Sequence, residues 1–225
     1  MGLQEHFVED LAQAIPLRFE TAAAPLAVPT DAPFKRALDL VLSAILLCVL
    51  SPLLGLIGVL IRLDSEGPAL FRQTRLGLGG KPFDIWKFRT MTVLENGDDI
   101  VQATKNDPRV TRIGRFLRKS SLDELPQLVN VLKGEMSLVG PRPHARAHDE
   151  YYGRLIENYA LRQAVRPGIT GWAQVNGHRG ETPTIESMRA RVDLDLWYVS
   201  HANVALDVEI LARTAIELFR HRNAH

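Results

Sequence analysis

The residues best suited to chemistry are two adjacent acids, Asp123 and Glu124. A basic stretch precedes them and contains Arg112, Arg115, Arg118 and Lys119. A carboxylate beside several arginines stays ionised at neutral pH, and an ionised aspartate can attack a phosphoryl group. A neighbouring carboxylate can hold Mg²⁺, and arginines bind diphosphates through planar, often bidentate contacts. The functional interpretation of the pair is therefore phosphoryl chemistry, in which one carboxylate acts as a nucleophile and the adjacent one holds the metal ion.

The same acids also have a purely structural interpretation. The pattern Ser121-x-x-Glu124 is a capping box, and acids at a helix N-terminus are stabilised by its dipole. From the local residues alone, capping is the favoured interpretation. It leaves one feature unexplained, because Pro126 just past the first turn costs a helix hydrogen bond.

Strands and helices are expected around this pair. The segment ALFRQTRLGLGGKPFDIWKFRTM predicts two strands around a glycine turn, a β-hairpin. A phosphate loop is the weaker interpretation of its glycines, because Pro82 and a strand follow Lys81. Helix is expected after Thr111, with Gly134 as the C-terminal cap of the helix that follows the acids. Proline-rich loops come next, and helical patterns return near 184–199 and 203–221.

An apolar run from Ala37 to Ile61 is long enough to cross a bilayer, which takes about 20 residues. Pro52 in its middle removes one helical hydrogen bond, and the Ser51 hydroxyl can bond the backbone group that this frees. Both flanks of the run are basic, which favours keeping both ends on the cytoplasmic side. We therefore expect a re-entrant helix-break-helix over residues 34–62. A kinked transmembrane helix is the alternative.

The composition is ordinary for a folded protein, and the formal net charge of +1 gives no case for nucleic-acid binding. The single cysteine, Cys48, excludes an internal disulfide framework and a cysteine zinc cluster. Residues 1–33 are expected to be an acidic leader with a Pro/Ala linker, and residues 63–225 a catalytic domain. The predicted fold class is α+β and mostly helical, with the re-entrant segment, the hairpin and amphipathic helices at the interface.

Four ordered segments of the sequence resemble the bacterial sugar transferases, also called monotopic phosphoglycosyl transferases or polyprenyl glycosylphosphotransferases. The segments are KRALDLVLSAILLCVLSPLL, FRQTRLGLGGKPFDIWKFRTM, TRIGRFLRKSSLDELPQLVNVLKGEMSLVGPRP and RPGITGWAQVNG. The resemblance covers roughly Phe34 to the C-terminus. PRPHARAHDEYY and GWAQVNGHRGET look most like members that transfer glucose 1-phosphate in exopolysaccharide assembly.

The resemblance implies an enzyme that moves a sugar 1-phosphate from a UDP-sugar to undecaprenyl phosphate and releases UMP. Asp123 would form a covalent phosphosugar intermediate, Glu124 would help to ligate Mg²⁺, and Ser51-Pro52 would form the membrane break. Phosphate or nucleotide contacts would come from Lys87, Arg89, Arg112 and Arg142.

The resemblance also implies a location at the bacterial inner membrane, with the catalytic domain on the cytoplasmic face. Further partners to consider are a second copy of the chain and downstream glycosyltransferases. Two other functions stay open at this point. One is hydrolysis of polyprenyl or nucleotide diphosphates, with Asp123 as the base, and the other is a non-catalytic scaffold docked on the membrane.

Overall fold

In a computed structural model of the protein, residues 33–92 and 107–220 are described. The predictions for the leader and linker fall outside these residues, except at Pro33. The described part is mostly helical with two small sheets, which confirms the α+β class. In chain order the elements are α1 (Pro33–Asp64), β1 (Leu70–Leu76), β2 (Pro82–Phe88), α2 (Arg112–Ser120), α3 (Gln127–Lys133), β3 (Ser137–Val139), α4 (Arg146–Leu155), β4 (Gly168–Thr170), α5 (Trp172–Val175), α6 (Ile185–His201) and α7 (Val204–Arg220).

Helix α1 carries the apolar run, and it continues through Pro52 without interruption. A proline at position 52 leaves the carbonyl of Cys48 without its usual helical N–H partner. The Ser51 hydroxyl donates to this carbonyl at 2.8 Å. The predicted return of the Ser51 hydroxyl to the backbone is therefore seen, whereas the predicted division into two helices is not.

Most of the α1 surface is apolar and uncovered. Its buried residues are only Asp39, Ser43, Ile57 and Ile61. Apolar side chains on the rest of the helix keep more than half of their surface exposed, namely Phe34, Val41, Ile45, Val49, Leu56, Val59 and Leu63. An exposed apolar area of this extent indicates contact with a membrane or another apolar partner.

Both ends of α1 are fastened to the rest of the chain. At the start, the Lys35 ammonium forms a salt bridge with Asp207 on α7 at 2.5 Å. The Asp39 carboxylate accepts a hydrogen bond from the backbone N–H of Leu138 at 3.0 Å. At the other end, Asp64 accepts from the N–H of Ile113 at 3.0 Å. The two ends of the apolar helix are thus anchored to the same folded body.

The predicted β-hairpin is present, with β1 and β2 antiparallel in the register Leu70↔Phe88 to Leu76↔Pro82. Its turn places Gly79 and Gly80 at φ of 63° and 73°, a region that favours glycine. A strand follows the turn, so the structure supports the turn over the phosphate loop. Phe83 and Ile85 on its inner face belong to the main apolar core, together with Val131, Met136 and Ile210.

The two proline-rich segments form more than the loops that their sequences predict. Strands β3 and β4, within these segments, pair in parallel. The backbones approach so closely that a Cβ on Gly168 would lie 2.1 Å from the Gly140 nitrogen. This close approach requires glycine, and it fixes the loop that carries Arg142 against the rest of the domain.

Candidate active site

The acid pair lies on a tight turn between α2 and α3. Ser121 ends α2 with φ 59° and ψ 18°, the left-handed conformation that non-glycine residues rarely adopt. A single 3₁₀ turn, Leu122–Glu124, then carries both acids. Pro126 directly precedes α3, where its missing N–H costs nothing because the first N–H groups of a helix have no partner. The unusual turn, rather than a regular helix start, sets the direction of the two carboxylates.

The capping interpretation of Ser121 and Glu124 is wrong. The Ser121 side chain makes no cap hydrogen bond. Its hydroxyl instead accepts a hydrogen bond from the Arg179 guanidinium. The Glu124 carboxylate instead binds Lys87 and Arg142, two basic residues from distant parts of the sequence.

Glu124 is 9% exposed and is bound by Lys87 and Arg142. The Lys87 ammonium donates to Oε1 at 2.8 Å. The Arg142 guanidinium donates to both oxygens, with an Nη1–Oε2 distance of 3.0 Å and a second bond from Nη2 to Oε1. Burial alone would raise the pKa of Glu124, but Arg142 and Lys87 hold it well below its usual range. Glu124 is therefore a permanent anion at neutral pH.

Asp123 is partly exposed, and no described residue donates a hydrogen bond to its carboxylate. Burial, reinforced by the neighbouring Glu124 charge, raises its pKa to about 6, against the opposing effect of Lys87, Arg142 and Arg118. Asp123 is still about nine-tenths ionised at pH 7, because the pKa lies about one unit below. A partly desolvated carboxylate without a hydrogen-bond partner is suited to nucleophilic attack.

Sequence reasoning did not assign Arg75 and Arg179 to this site. Arg75 shares the inner face of the hairpin with Lys87, and burial together with Arg142 lowers its pKa to about 10. The alternation of side chains along the strand could have identified it. Burial also lowers the pKa of Arg179, against the attraction of Glu124 and Asp123. No local signal in the sequence links Arg179 to Ser121, 58 residues away.

Arg142 is supported from behind by a buried polar network. The Arg162 guanidinium donates to the Arg142 carbonyl at 2.7 Å and to His144 Nδ1 at 3.1 Å. Arg162 also forms a salt bridge with Asp195 at 2.8 Å, in which both side chains are less than 5% exposed. Because a buried pair of this kind holds its geometry closely, the network fixes the backbone from which Arg142 reaches Glu124.

The four cationic residues predicted to bind phosphate fall into two groups. Lys87 and Arg142 lie at the acid pair. Arg89 does not, because its buried guanidinium donates to the carbonyls of Ser65 at 2.6 Å and Glu66, just past the end of α1. Arg112 is exposed on the first turn of α2, and within the described part of the chain it forms no hydrogen bond or salt bridge with Asp123 or Glu124. The geometry thus supports a site role for Lys87 and Arg142, and a structural role for Arg89.

The described residues contain no group of three or more acids, histidines or cysteines that could cage a metal ion. Mg²⁺ does not require one, since it commonly binds one or two carboxylates together with substrate phosphates and waters. Asp123 and Glu124 offer two adjacent carboxylates for this purpose. These residues are therefore suited to bind a Mg²⁺ ion that also contacts the phosphates of a diphosphate substrate.

In a comparison with known proteins, the sequence matches the bacterial sugar transferase family over residues 30–221. The UDP-glucose:undecaprenyl-phosphate glucose-1-phosphate transferase of Escherichia coli K12 is 54% identical over 191 residues, which cover 85% of this chain and 41% of that protein. A protein of the same name from Caulobacter vibrioides is also 54% identical, over 85% of this chain and 72% of the relative. The exopolysaccharide production protein PSS of Rhizobium leguminosarum is 47% identical, over 83% and 95%.

The chain spans about two fifths of the length of the Escherichia coli relative and most of the length of the Rhizobium one. The family match covers all of the described residues, including both acids, Lys87 and Arg142. The chain belongs to the bacterial sugar transferase family.

Proposed function

We propose that this chain transfers glucose 1-phosphate from UDP-glucose to undecaprenyl phosphate, releases UMP, and forms a covalent intermediate on Asp123. The observation that carries the proposal is the contrast between the two acids. Glu124 is fixed by Lys87 and Arg142, while Asp123 beside it has no described hydrogen-bond partner. The names of the relatives, which give UDP-glucose and undecaprenyl phosphate as substrates, support the choice of sugar and acceptor.

In the first step, an Asp123 oxygen attacks the phosphorus that bears the sugar. The bond from this phosphorus to the bridging oxygen of the diphosphate breaks, and UMP leaves with the electron pair. The product is an acyl phosphate, in which the sugar phosphate is esterified to Asp123. Attack requires the ionised carboxylate, which the pKa of about 6 makes available at neutral pH.

Phosphoryl transfer depends mainly on positioning and charge neutralisation. Arg142 and Lys87 lie next to the nucleophile and can share their donors between Glu124 and the phosphate oxygens. Arg75 and Arg179 add positive potential around the same point. A bound Mg²⁺ would be held by Glu124 and the diphosphate, and it would neutralise charge on the leaving UMP.

In the second step, an oxygen of undecaprenyl phosphate attacks the same phosphorus. The bond to Asp123 breaks, the carboxylate is restored, and the sugar becomes attached to the lipid through a diphosphate. The two substrates need not be bound together, because each reacts in turn at one carboxylate. A water-soluble donor and a lipid acceptor can therefore use the same site.

The acceptor requires the site to lie at a membrane surface, and α1 supplies the means. We propose that α1 enters the bacterial inner membrane from the cytoplasmic side, bends near Pro52 and returns, leaving the catalytic domain on that face. Support comes from Lys35 and Asp64, at opposite ends of α1, which both contact the catalytic body. A helix that crossed the membrane would place its ends on opposite sides, where one body could not hold both.

Cysteine labelling tests this topology. In a Cys48→Ala background, Thr30→Cys and Lys81→Cys report the two flanks of α1. In sealed inverted inner-membrane vesicles, a membrane-impermeant maleimide should label both. Labelling of only one flank until the vesicles are opened would establish a crossing helix.

Partition of product tests the transfer reaction. UDP-sugars labelled in the sugar are incubated with the membrane protein, with and without undecaprenyl phosphate. Labelled glucose phosphate should enter the lipid fraction only with the acceptor, and UDP-glucose should be the best donor of the panel. Label that appears only in water would indicate a hydrolase. If Asp123→Asn left the turnover of UDP-glucose unchanged, Asp123 and Glu124 would have no catalytic role, and the non-catalytic scaffold would be favoured.

A further inference from the structure

A cluster of basic side chains around Trp86 lies outside the active site and has no role in the proposed reaction. The Arg72 guanidinium lies 4.0 Å from the centre of the Trp86 ring, and the Lys133 ammonium lies 4.9 Å from it. Arg72 and Trp86 are directly opposite each other on β1 and β2. Lys133 comes from the last turn of α3. We call Arg72, Trp86 and Lys133 the tryptophan cluster.

The positive charge of this cluster is not neutralised within the described part of the chain. Neither Arg72 nor Lys133 forms a salt bridge there, and both side chains are exposed. Glu135, two residues after Lys133, accepts a hydrogen bond from the Asn130 amide at 2.7 Å. Two exposed cations that lie against one indole ring and have no carboxylate partner form a site for an external anion.

The cluster lies close to the start of α1. The Arg36 guanidinium, on the first turn of this helix, donates to the carbonyls of Val131 and Leu132, at 2.8 Å and 3.1 Å. These two residues directly precede Lys133 on α3.

We propose that the tryptophan cluster binds the phosphate of an anionic membrane phospholipid where α1 enters the bilayer. The proposal rests on the proposed insertion of α1 into a membrane. Arginine and lysine at this depth attract anionic headgroups, and a tryptophan ring is stable at the boundary between headgroups and acyl chains. The ligand is a phosphodiester attached to a lipid, so it differs from the donor diphosphate bound at Asp123.

The test measures lipid binding directly and does not depend on sugar transfer. The full chain in non-ionic detergent is titrated with phosphatidylglycerol or phosphatidylcholine, and bound lipid is counted by native mass spectrometry. Wild-type protein should prefer phosphatidylglycerol. The double variant Arg72→Gln, Lys133→Gln should bind phosphatidylglycerol about thirtyfold more weakly, from the usual attraction of two cations to an anionic lipid.

Matched controls separate this site from general charge. Arg154→Gln, Arg189→Gln removes two exposed cations from α4 and α6 and should retain the wild-type preference. Equal loss in both double variants, or no loss in the cluster variant, would overturn the proposal. Displacement of the lipid by millimolar inorganic phosphate would also overturn it, since the site would then recognise free phosphate. Cleavage of UDP-glucose in detergent without added lipid should be the same in the cluster variant as in wild type.

Discussion

Arg142 binds Glu124 through both carboxylate oxygens, with Nη1 3.0 Å from Oε2 and Nη2 bonded to Oε1. The carbonyl of Arg142 is in turn held by Arg162 at 2.7 Å. This arrangement keeps Glu124 ionised and directs a guanidinium at the point where a phosphate would meet Asp123. The two acids therefore have different surroundings although they are adjacent in the sequence.

Replacing the Arg142 guanidinium with an ammonium tests the importance of its bidentate contact with Glu124. Arg142→Lys keeps the charge but cannot reach both oxygens, so we expect UMP release to fall by about ten- to a hundredfold. Steady-state release of UMP from UDP-glucose measures the effect, and Arg154→Lys on the exposed end of α4 is the matched control. A rate within twofold of wild type in Arg142→Lys would mean that charge alone is needed.

The raised pKa of Asp123 predicts an acid limit to catalysis. Because the nucleophile must be ionised, kcat/KM for UMP release should fall as the pH decreases through about 6. Glu124→Gln removes the neighbouring negative charge that raises this pKa. The acid limb of the pH profile of kcat/KM should therefore move to lower pH, and the maximum rate should be reduced. A limb that stays at the same pH in Glu124→Gln would contradict the assignment of this titration to Asp123.

The same shift predicts that the nucleophile lowers the stability of the protein. The pKa of Asp123 is about 6 in the folded state against 3.8 for a free aspartate side chain, so between these two pH values the folded state binds more protons. The free energy of unfolding therefore falls as pH rises from about 4 to about 6, and the loss persists above.

Asp123→Asn removes this loss and should stabilise the protein by about 1–3 kcal/mol at pH 8. Chemical unfolding in detergent measures the difference between variant and wild type, which should disappear near pH 4. Asp193→Asn on the exposed face of α6 is a suitable control. An Asp123→Asn protein that is less stable than wild type at pH 8 would show that the aspartate is a structural residue.

Arg89 has a different expected phenotype from Arg142. Its guanidinium donates to carbonyls at the end of α1, so Arg89→Met should leave buried acceptors unpaired and cost about 2–4 kcal/mol. A lower unfolding temperature, compared with Arg115→Met on the exposed face of α2, measures this cost. The KM for UDP-glucose should be unchanged in the folded protein. A raised KM at unchanged stability would restore the phosphate role that the sequence predicts for Arg89.

Local patterns in the sequence were sufficient for several features. Glycines between alternating strands predicted the hairpin, and Gly134 closes α3 in the left-handed conformation as expected. Spacing also predicted the bond from Ser51 that compensates for Pro52. These features depend on neighbours within a few residues, which is why the sequence alone reveals them.

Features that depend on distant contacts were not predictable in the same way. The capping interpretation failed because Glu124 finds stronger partners in Lys87 and Arg142, which are 37 and 18 residues away. The contacts of Arg89 could not be predicted for a similar reason, since its partners are carbonyls 23 and 24 residues earlier. The pairing of β3 with β4 depends on two glycine backbones packed together, a contact that neither segment predicts alone.

The proposed reaction depends on a covalent intermediate on Asp123, and trapping this intermediate is its most direct test. The protein is incubated with sugar-labelled UDP-glucose and Mg²⁺ without acceptor, then denatured and measured for protein-bound label and released UMP. Label should appear on the wild-type chain in an amount that matches the released UMP. Undecaprenyl phosphate added before denaturation should remove this label from the protein, and the Asp123→Asn protein should never acquire it. UMP release without protein-bound label, with the glucose phosphate in water or transferred directly to lipid, would contradict the proposed reaction.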